Sequence, residues 1–171
     1  MTGVQTCALP IYTHLVTALG YRPEHYVEIL RQAAGTDTRF ASAIDLGCGT
    51  GLIGALLRPI VDRLAGVDLS PAMVAKAEAR GIYDDLAAAA IEPFLDASRE
   101  RFDLFFAADV FVYVGALDGV FAKARTCARP GAWFAFSVED ADGDGFALRP
   151  TGRYAHSLAY VGAVEIGRAH V

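Results

Sequence analysis

Residues 44–51, Ile-Asp-Leu-Gly-Cys-Gly-Thr-Gly, constrain the fold of this chain more than any other stretch. An apolar run ends near an acid, Asp45, and three glycines follow at alternate positions: Gly47, Gly49 and Gly51. Glycine allows the left-handed backbone of a sharp turn, and it allows a ligand closer than any Cβ would. Buried strand, glycine loop and helix, in that order, form the mouth of a ligand crevice in a parallel α/β sheet.

The rest of the pattern agrees with such a sheet. Residues 42–46 read as a short buried strand, 51–57 as a helix stopped near Pro59, and 64–69 as a second strand. Ser70 suits an N-cap and Pro71 the first helical turn, where its missing N–H costs nothing. That helix runs to about Arg80 and ends at Gly81. A strand is expected over 87–91, though its four alanines carry little β-preference, and a firmer one over 102–108. Leu117, Val120, Phe121 and Ala124 mark one face of the next helix. Pro130-Gly131 reads as a turn, 132–138 as an aromatic-rich strand, 140–145 as a polar loop and 153–164 as a last helix. Residues 12–34 read as helical, with Leu15, Leu19, Val27 and Leu30 apolar, broken into two by Gly20 and Pro23. Strands alternating with helices predict an α/β, Rossmann-like parallel sheet of five strands with helices on both faces.

The glycine spacing narrows the ligand. A dinucleotide fingerprint reads GxGxxG with an acid about 20 residues on. Here the spacing is GxGxG, an acid precedes it, and the second strand ends in Asp68 within Gly66-Val67-Asp68-Leu69-Ser70. An acid at that strand tip points into the crevice, where it can accept hydrogen bonds from both hydroxyls of a ribose. A nicotinamide-dependent oxidoreductase is one alternative reading, and the glycine spacing and the position of Asp45 count against it; a cofactor-binding fragment without turnover is the other.

Four segments resemble the class I S-adenosylmethionine-dependent methyltransferases: AIDLGCGTG at 43–51, GVDLSPAMVAKA at 66–77, RFDLFFAADVFVYVG at 101–115 and RPGAWFAFSVE at 129–139. GYRPEH before the core and GRYAHS after it resemble a bacterial subgroup of predicted, TPR-associated methyltransferases. The resemblance implies S-adenosyl-L-methionine as cofactor and a small-molecule methyl acceptor. It implies that Gly47, Cys48, Gly49 and Gly51 form the loop under the cofactor, and that Asp45 braces the loop or meets the methionine amine. It further implies that Asp68 holds the ribose, that Leu69 and Met73 flank the adenine, and that Asp109 lies near the methyl group. Asp109, Tyr154 and His156 are the candidate catalytic residues, with Tyr113 a further candidate base. Arg153 could meet an acidic substrate group or pair with Glu139 or Asp140.

Two departures from the family pattern stand out. Where the family carries an acid that reads the adenine amino group, this chain has an alanine run, with Ala90 at the aligned position; backbone atoms or Glu92 could substitute. The family also ends in two further strands, which nothing after Val164 can supply, leaving the fifth strand as an unpaired apolar edge.

The ends themselves resemble translated sequencing-library adapter. Residues 166–171 can be encoded as ATC GGA AGA GCA CAC GTC, and the reverse complement, shifted by one base, can encode residues 6–11. Residues 1–11 and 165–171 are therefore expected to be artefactual, and 12–164 to be a methyltransferase domain incomplete at its C-terminal end.

Composition sets the remaining bounds. Apolar residues make up 54% of the 171 and charged residues 20%, as in one globular domain. The net charge of −5 argues against nucleic acid as partner. No apolar run is long enough to predict a membrane span. Cys7, Cys48 and Cys127 lack metal-ligand spacing, so no metal is expected, and unpaired thiols suit a reducing, cytoplasmic setting. The oligomeric state is not readable from the sequence.

Overall fold

The computed structural model describes residues 11–15 and 23–166. Cys7, Leu19, Gly20 and all but Ile11 of the first adapter-like segment lie outside them, as do residues 167–171. The described chain contains β1 (Ile11–Leu15), α1 (Pro23–Ala34), β2 (Phe40–Leu46), α2 (Leu52–Leu57), β3 (Val61–Asp68), α3 (Pro71–Glu78), β4 (Asp85–Ala88) and α4 (Ile91–Ala97). It continues with β5 (Phe102–Ala107), α5 (Asp118–Cys127), β6 (Ala128–Asp140), β7 (Phe146–Leu148), β8 (Tyr154–His156) and α6 (Leu158–Ile166). Short 3₁₀ turns occupy Arg58–Ile60 and Phe111–Tyr113.

The central sheet runs β4-β3-β2-β5-β6, all parallel. The strand order reverses at β2, which pairs with β3 on one side and β5 on the other. Such a reversal opens a crevice at the carboxyl ends of the strands. Those ends carry the glycine loop after β2, Asp68 on β3, Ala89-Ala90 after β4 and Asp109 after β5. Parallel strands deliver all four to one edge of the sheet.

Alternation along each strand builds two apolar layers. Ile44, Leu46, Val67, Phe105, Phe134 and Phe136 face Leu95 of α4, Phe121 and Ala124 of α5, and Val161 of α6. Six phenylalanines interlock on this side, with the rings of Phe121 and Phe134 stacked 4.9 Å apart. Phe40, Ala43, Leu64, Leu104 and Phe106 face Val27 and Leu30 of α1 and Ile53 and Leu57 of α2.

The expected Rossmann-like parallel architecture is present, with more strands than the five expected. Residues 12–15 form a strand rather than the start of a helix, pairing in parallel with Phe134–Val138 of β6. Tyr and Thr favour extended backbone, and the apolar edge of β6 supplies a partner. β8 pairs with the tip of the same edge at Glu139 and Asp140, so the expected bare edge is covered. Residues 153–164 divide into β8 and α6, and β7 pairs antiparallel with β8. The turn expected at Pro130-Gly131 is absorbed into β6 as a bulge. There Phe102 pairs with Ala128 but Leu104 with Trp133, and Gly131 takes φ +79°. Residues 91–97, unassigned from sequence beyond Ile91, form α4.

Candidate functional site

The glycine loop is left-handed at each of its three glycines, with φ +69° at Gly47, +53° at Gly49 and +81° at Gly51. Space also demands glycine at two of them. A Cβ on Gly47 would lie 2.4 Å from Val110 Cγ2, and one on Gly51 would lie 3.0 Å from Arg80 and 3.1 Å from the Tyr83 ring. The loop is tied to β3: the Gly47 and Cys48 amides donate to the Val67 carbonyl at 2.7 and 3.0 Å.

Asp68 joins the two strand ends. Its Oδ2 accepts the Gly49 amide at 2.9 Å, and its Oδ1 accepts the Ser70 amide at 2.9 Å. One lone pair on each oxygen remains for a ligand, because an ionised carboxylate offers about four acceptor sites. Asp68 lines a cavity of about 740 Å³ together with Gly47, Leu69, Ala89, Ala90, Glu92, Asp109, Val110 and Tyr113. Leu69, 76% exposed, stands at its rim. Ala90 lines this wall, and Glu92 lines it two residues on. Lys123, paired with Asp96, also lines it.

Asp109 adopts φ +55°, the one left-handed non-glycine conformation among the described residues. Backbone strain of this kind concentrates at functional sites. Its amide donates to Ser137 Oγ at 2.8 Å, and its Oδ1 accepts from the Tyr26 hydroxyl at 3.4 Å. β6 and α1 thus hold the acid at the cavity.

Asp45 lies beneath the loop rather than in the cavity. It is 2% exposed, and its Oδ2 accepts the Tyr83 hydroxyl at 2.7 Å. Burial pushes its carboxyl up to about 7, the Tyr83 hydrogen bond opposes that rise, and the charge of Asp68 adds to it. Cys48 is buried, and burial with the nearby carboxylates pushes its thiol up to about 12, so the thiol stays protonated. Met73 sits in the first turn of α3 at the surface, outside the cavity lining.

Tyr154 and His156 stand apart from the cavity. His156 is fully buried, its Nε2 facing the carbonyls of Val114 and Gly115 at 2.9 and 2.8 Å. Burial lowers its pKa, which keeps the ring neutral and donating. The imidazole pins β8 to the turn after β5, and His156 is not among the residues that line the cavity. Tyr154 packs on Phe146 and against Gly115. Arg153 pairs with Glu139 and lies over the Tyr113 ring at 5.9 Å.

Sequence reasoning missed Tyr83, Tyr26 and Ser137. Each is a lone polar group on an element far away in the chain, and neither spacing nor composition marks it.

Residues 44–136 match the family described as "Methyltransferase domain". Methyltransferase-like protein 27 of Homo sapiens is 43% identical over 79 residues, 45% of this chain and 32% of that protein. A ubiquinone biosynthesis O-methyltransferase of Methylobacterium sp. (strain 4-46) is 31% identical over 113 residues, 64% of this chain and 45% of that protein. The chain thus spans less than half the length of these relatives. Among solved structures, the N-methyltransferase NodS from Bradyrhizobium japonicum WM9, in complex with S-adenosyl-l-homocysteine, superposes with TM-score 0.63 at 20% identity. That likeness covers 82% of this chain and 71% of that one, and supports the fold. With a match over more than half its length, the chain belongs to the methyltransferase domain family.

Proposed function

We propose that this domain binds S-adenosyl-L-methionine and transfers its methyl group to a small-molecule acceptor. The observation that carries the reading is Asp68, fixed by two backbone amides and facing a cavity bounded by the glycine loop, Leu69 and Ala89-Ala90. The residues present fit the cofactor. Gly47 offers a backbone approach without a Cβ, Asp68 offers acceptors for ribose hydroxyls, and Leu69 with Ala89-Ala90 offers apolar faces for the adenine. When bound, the cofactor supplies a methyl group made electrophilic by its sulfonium.

The chain's own task is then to bind, orient and exclude water. The glycine loop and Asp68 bound the cavity. Asp109, next to the Val110 that packs against Gly47, holds a carboxylate in the same lining, steadied by Tyr26 and Ser137, where it can take a proton from an acceptor hydroxyl or ammonium. Tyr113, 70% exposed on the cavity wall, offers a ring face to the acceptor. Glu92 is placed to accept from a donor near the alanine run. The buried His156 is not assigned a proton-transfer role. A cavity of about 740 Å³ suits a cofactor and a small second molecule better than a polymer. Cys48 and Cys127 are free thiols, which suits a reducing, cytoplasmic compartment.

The acceptor class is tested by incubating the protein with methyl-labelled S-adenosylmethionine and a cell extract. Label recovered in the low-molecular-mass fraction is expected. Label found only in protein or nucleic acid would overturn the acceptor class.

A further inference from the structure

The segment between α3 and β4 props the glycine loop from below. Arg80 Nε donates to the Thr50 carbonyl at 2.5 Å, and three residues later the Tyr83 hydroxyl donates to Asp45 at 2.7 Å. The Tyr83 ring fills a slot that only glycines leave open. A Cβ on Gly54 would lie 2.1 Å from its hydroxyl, one on Gly66 2.8 Å from its ring, and one on Gly51 3.1 Å from it. These glycines come from the loop, from α2 and from β3. One side chain therefore touches the loop, α2, β3 and, through Asp45, β2. Asp45, on β2, is the loop's root, and its buried carboxylate accepts hydrogen bonds from the Tyr83 hydroxyl and the Gly54 amide.

We propose that Tyr83 is a positioning residue: seated among Gly51, Gly54 and Gly66 and bonded to Asp45, it fixes the height of the 47–51 loop and so the affinity of the cofactor site. Its effect on ligand rests on the function proposed above; its effect on the loop does not. Tyr83 acts through Asp45 and does not itself line the cavity.

The titratable groups facing Asp45 are Tyr83 from the α3–β4 segment, Asp68 from β3 and Cys48 in the loop. Burial and the Asp45 charge hold the Tyr83 hydroxyl protonated, so it keeps the proton it donates to Asp45. Removing the hydroxyl leaves a buried carboxylate short of a donor, a defect worst where Asp45 is ionised and eased when it takes up a proton.

The test is amide hydrogen exchange at Gly47, Cys48, Gly49 and Gly51, read beside S-adenosylhomocysteine affinity, in the wild type, Tyr83→Phe and Asp45→Asn. Tyr83→Phe keeps the ring, so the fold is expected to persist. Its loop amides should lose about tenfold in protection at pH 8 and less at pH 6, with a matching loss of affinity. Asp45→Asn in the Tyr83→Phe background should restore protection and remove the pH dependence. Unchanged loop exchange in Tyr83→Phe at both pH values overturns the proposal, as does a uniform loss of protection across the whole domain. Loosened loop exchange in a protein whose wild type binds no S-adenosylhomocysteine would uphold the positioning role and sink the cofactor reading instead.

Discussion

Asp68 on β3 accepts the Gly49 amide of the neighbouring β2–α2 loop at 2.9 Å, so the acid at one strand end also sets the loop at the next. The contact joins two sequence features 19 residues apart into one structure. It makes the carboxylate a part of the loop and a wall of the cavity together. Asp68→Ala should therefore weaken S-adenosylhomocysteine binding by tenfold or more, through lost ligand contacts and a loosened loop, at about 1.5–3 kcal/mol per charged hydrogen bond. Asp68→Asn, which keeps one acceptor oxygen, should fall between. Titration calorimetry on both variants checks the order.

The three loop glycines are not equivalent. Gly47→Ala sets a Cβ 2.4 Å from Val110 at positive φ and should cost about 1–3 kcal/mol in urea unfolding. Gly49→Ala meets open space and carries the conformational cost alone, about 1 kcal/mol. Val110→Ala should recover part of the first loss and none of the second. Equal costs at both glycines would contradict the packing described.

Asp45 predicts a pH dependence of stability. Its carboxyl titrates near 7 in the folded protein against an ordinary 3.8, so the folded state holds the proton more tightly. The stability it contributes is full below about pH 4 and is lost as pH rises through 7. Asp45→Asn, which carries no charge at any pH, should gain on the wild type between pH 4.5 and 8. The same stability difference at both pH values would show that Asp45 titrates normally.

His156 predicts the opposite slope. Burial lowers its pKa below the ordinary 6.5, so its contribution is present above that pH and is lost as pH falls. His156→Ala removes a fully buried ring and the tether to Val114 and Gly115, and should cost about 2–4 kcal/mol in unfolding. Cofactor affinity of the folded variant should change far less. A large loss of affinity without loss of stability would return His156 to the site.

What the sequence made legible follows the range of its signals. The glycine loop, Asp68 and the Ser70-Pro71 helix start are local patterns, and the structure has them where the residues stand. Asp109 was readable only through its place after a strand; its left-handed backbone has no sequence mark. The β7–β8 hairpin was missed because three-residue strands are too short for alternation to show. β1 was misread because its pairing depends on β6, more than a hundred residues away. The burial of His156 was invisible for the same reason. A histidine in a candidate substrate segment reads as reactive until Val114 and Gly115 are seen to hold it. Tyr83 was invisible because its role lies in three glycines that leave it room.

The central claim is that the 47–51 loop and Asp68 hold S-adenosylmethionine. Titration calorimetry of S-adenosylhomocysteine and, separately, NADH into the wild type tests it most directly. The structure predicts saturable 1:1 binding of S-adenosylhomocysteine, lost or greatly weakened in Asp68→Ala, and no binding of NADH. Binding of NADH alone, or S-adenosylhomocysteine affinity unchanged in Asp68→Ala, would contradict it.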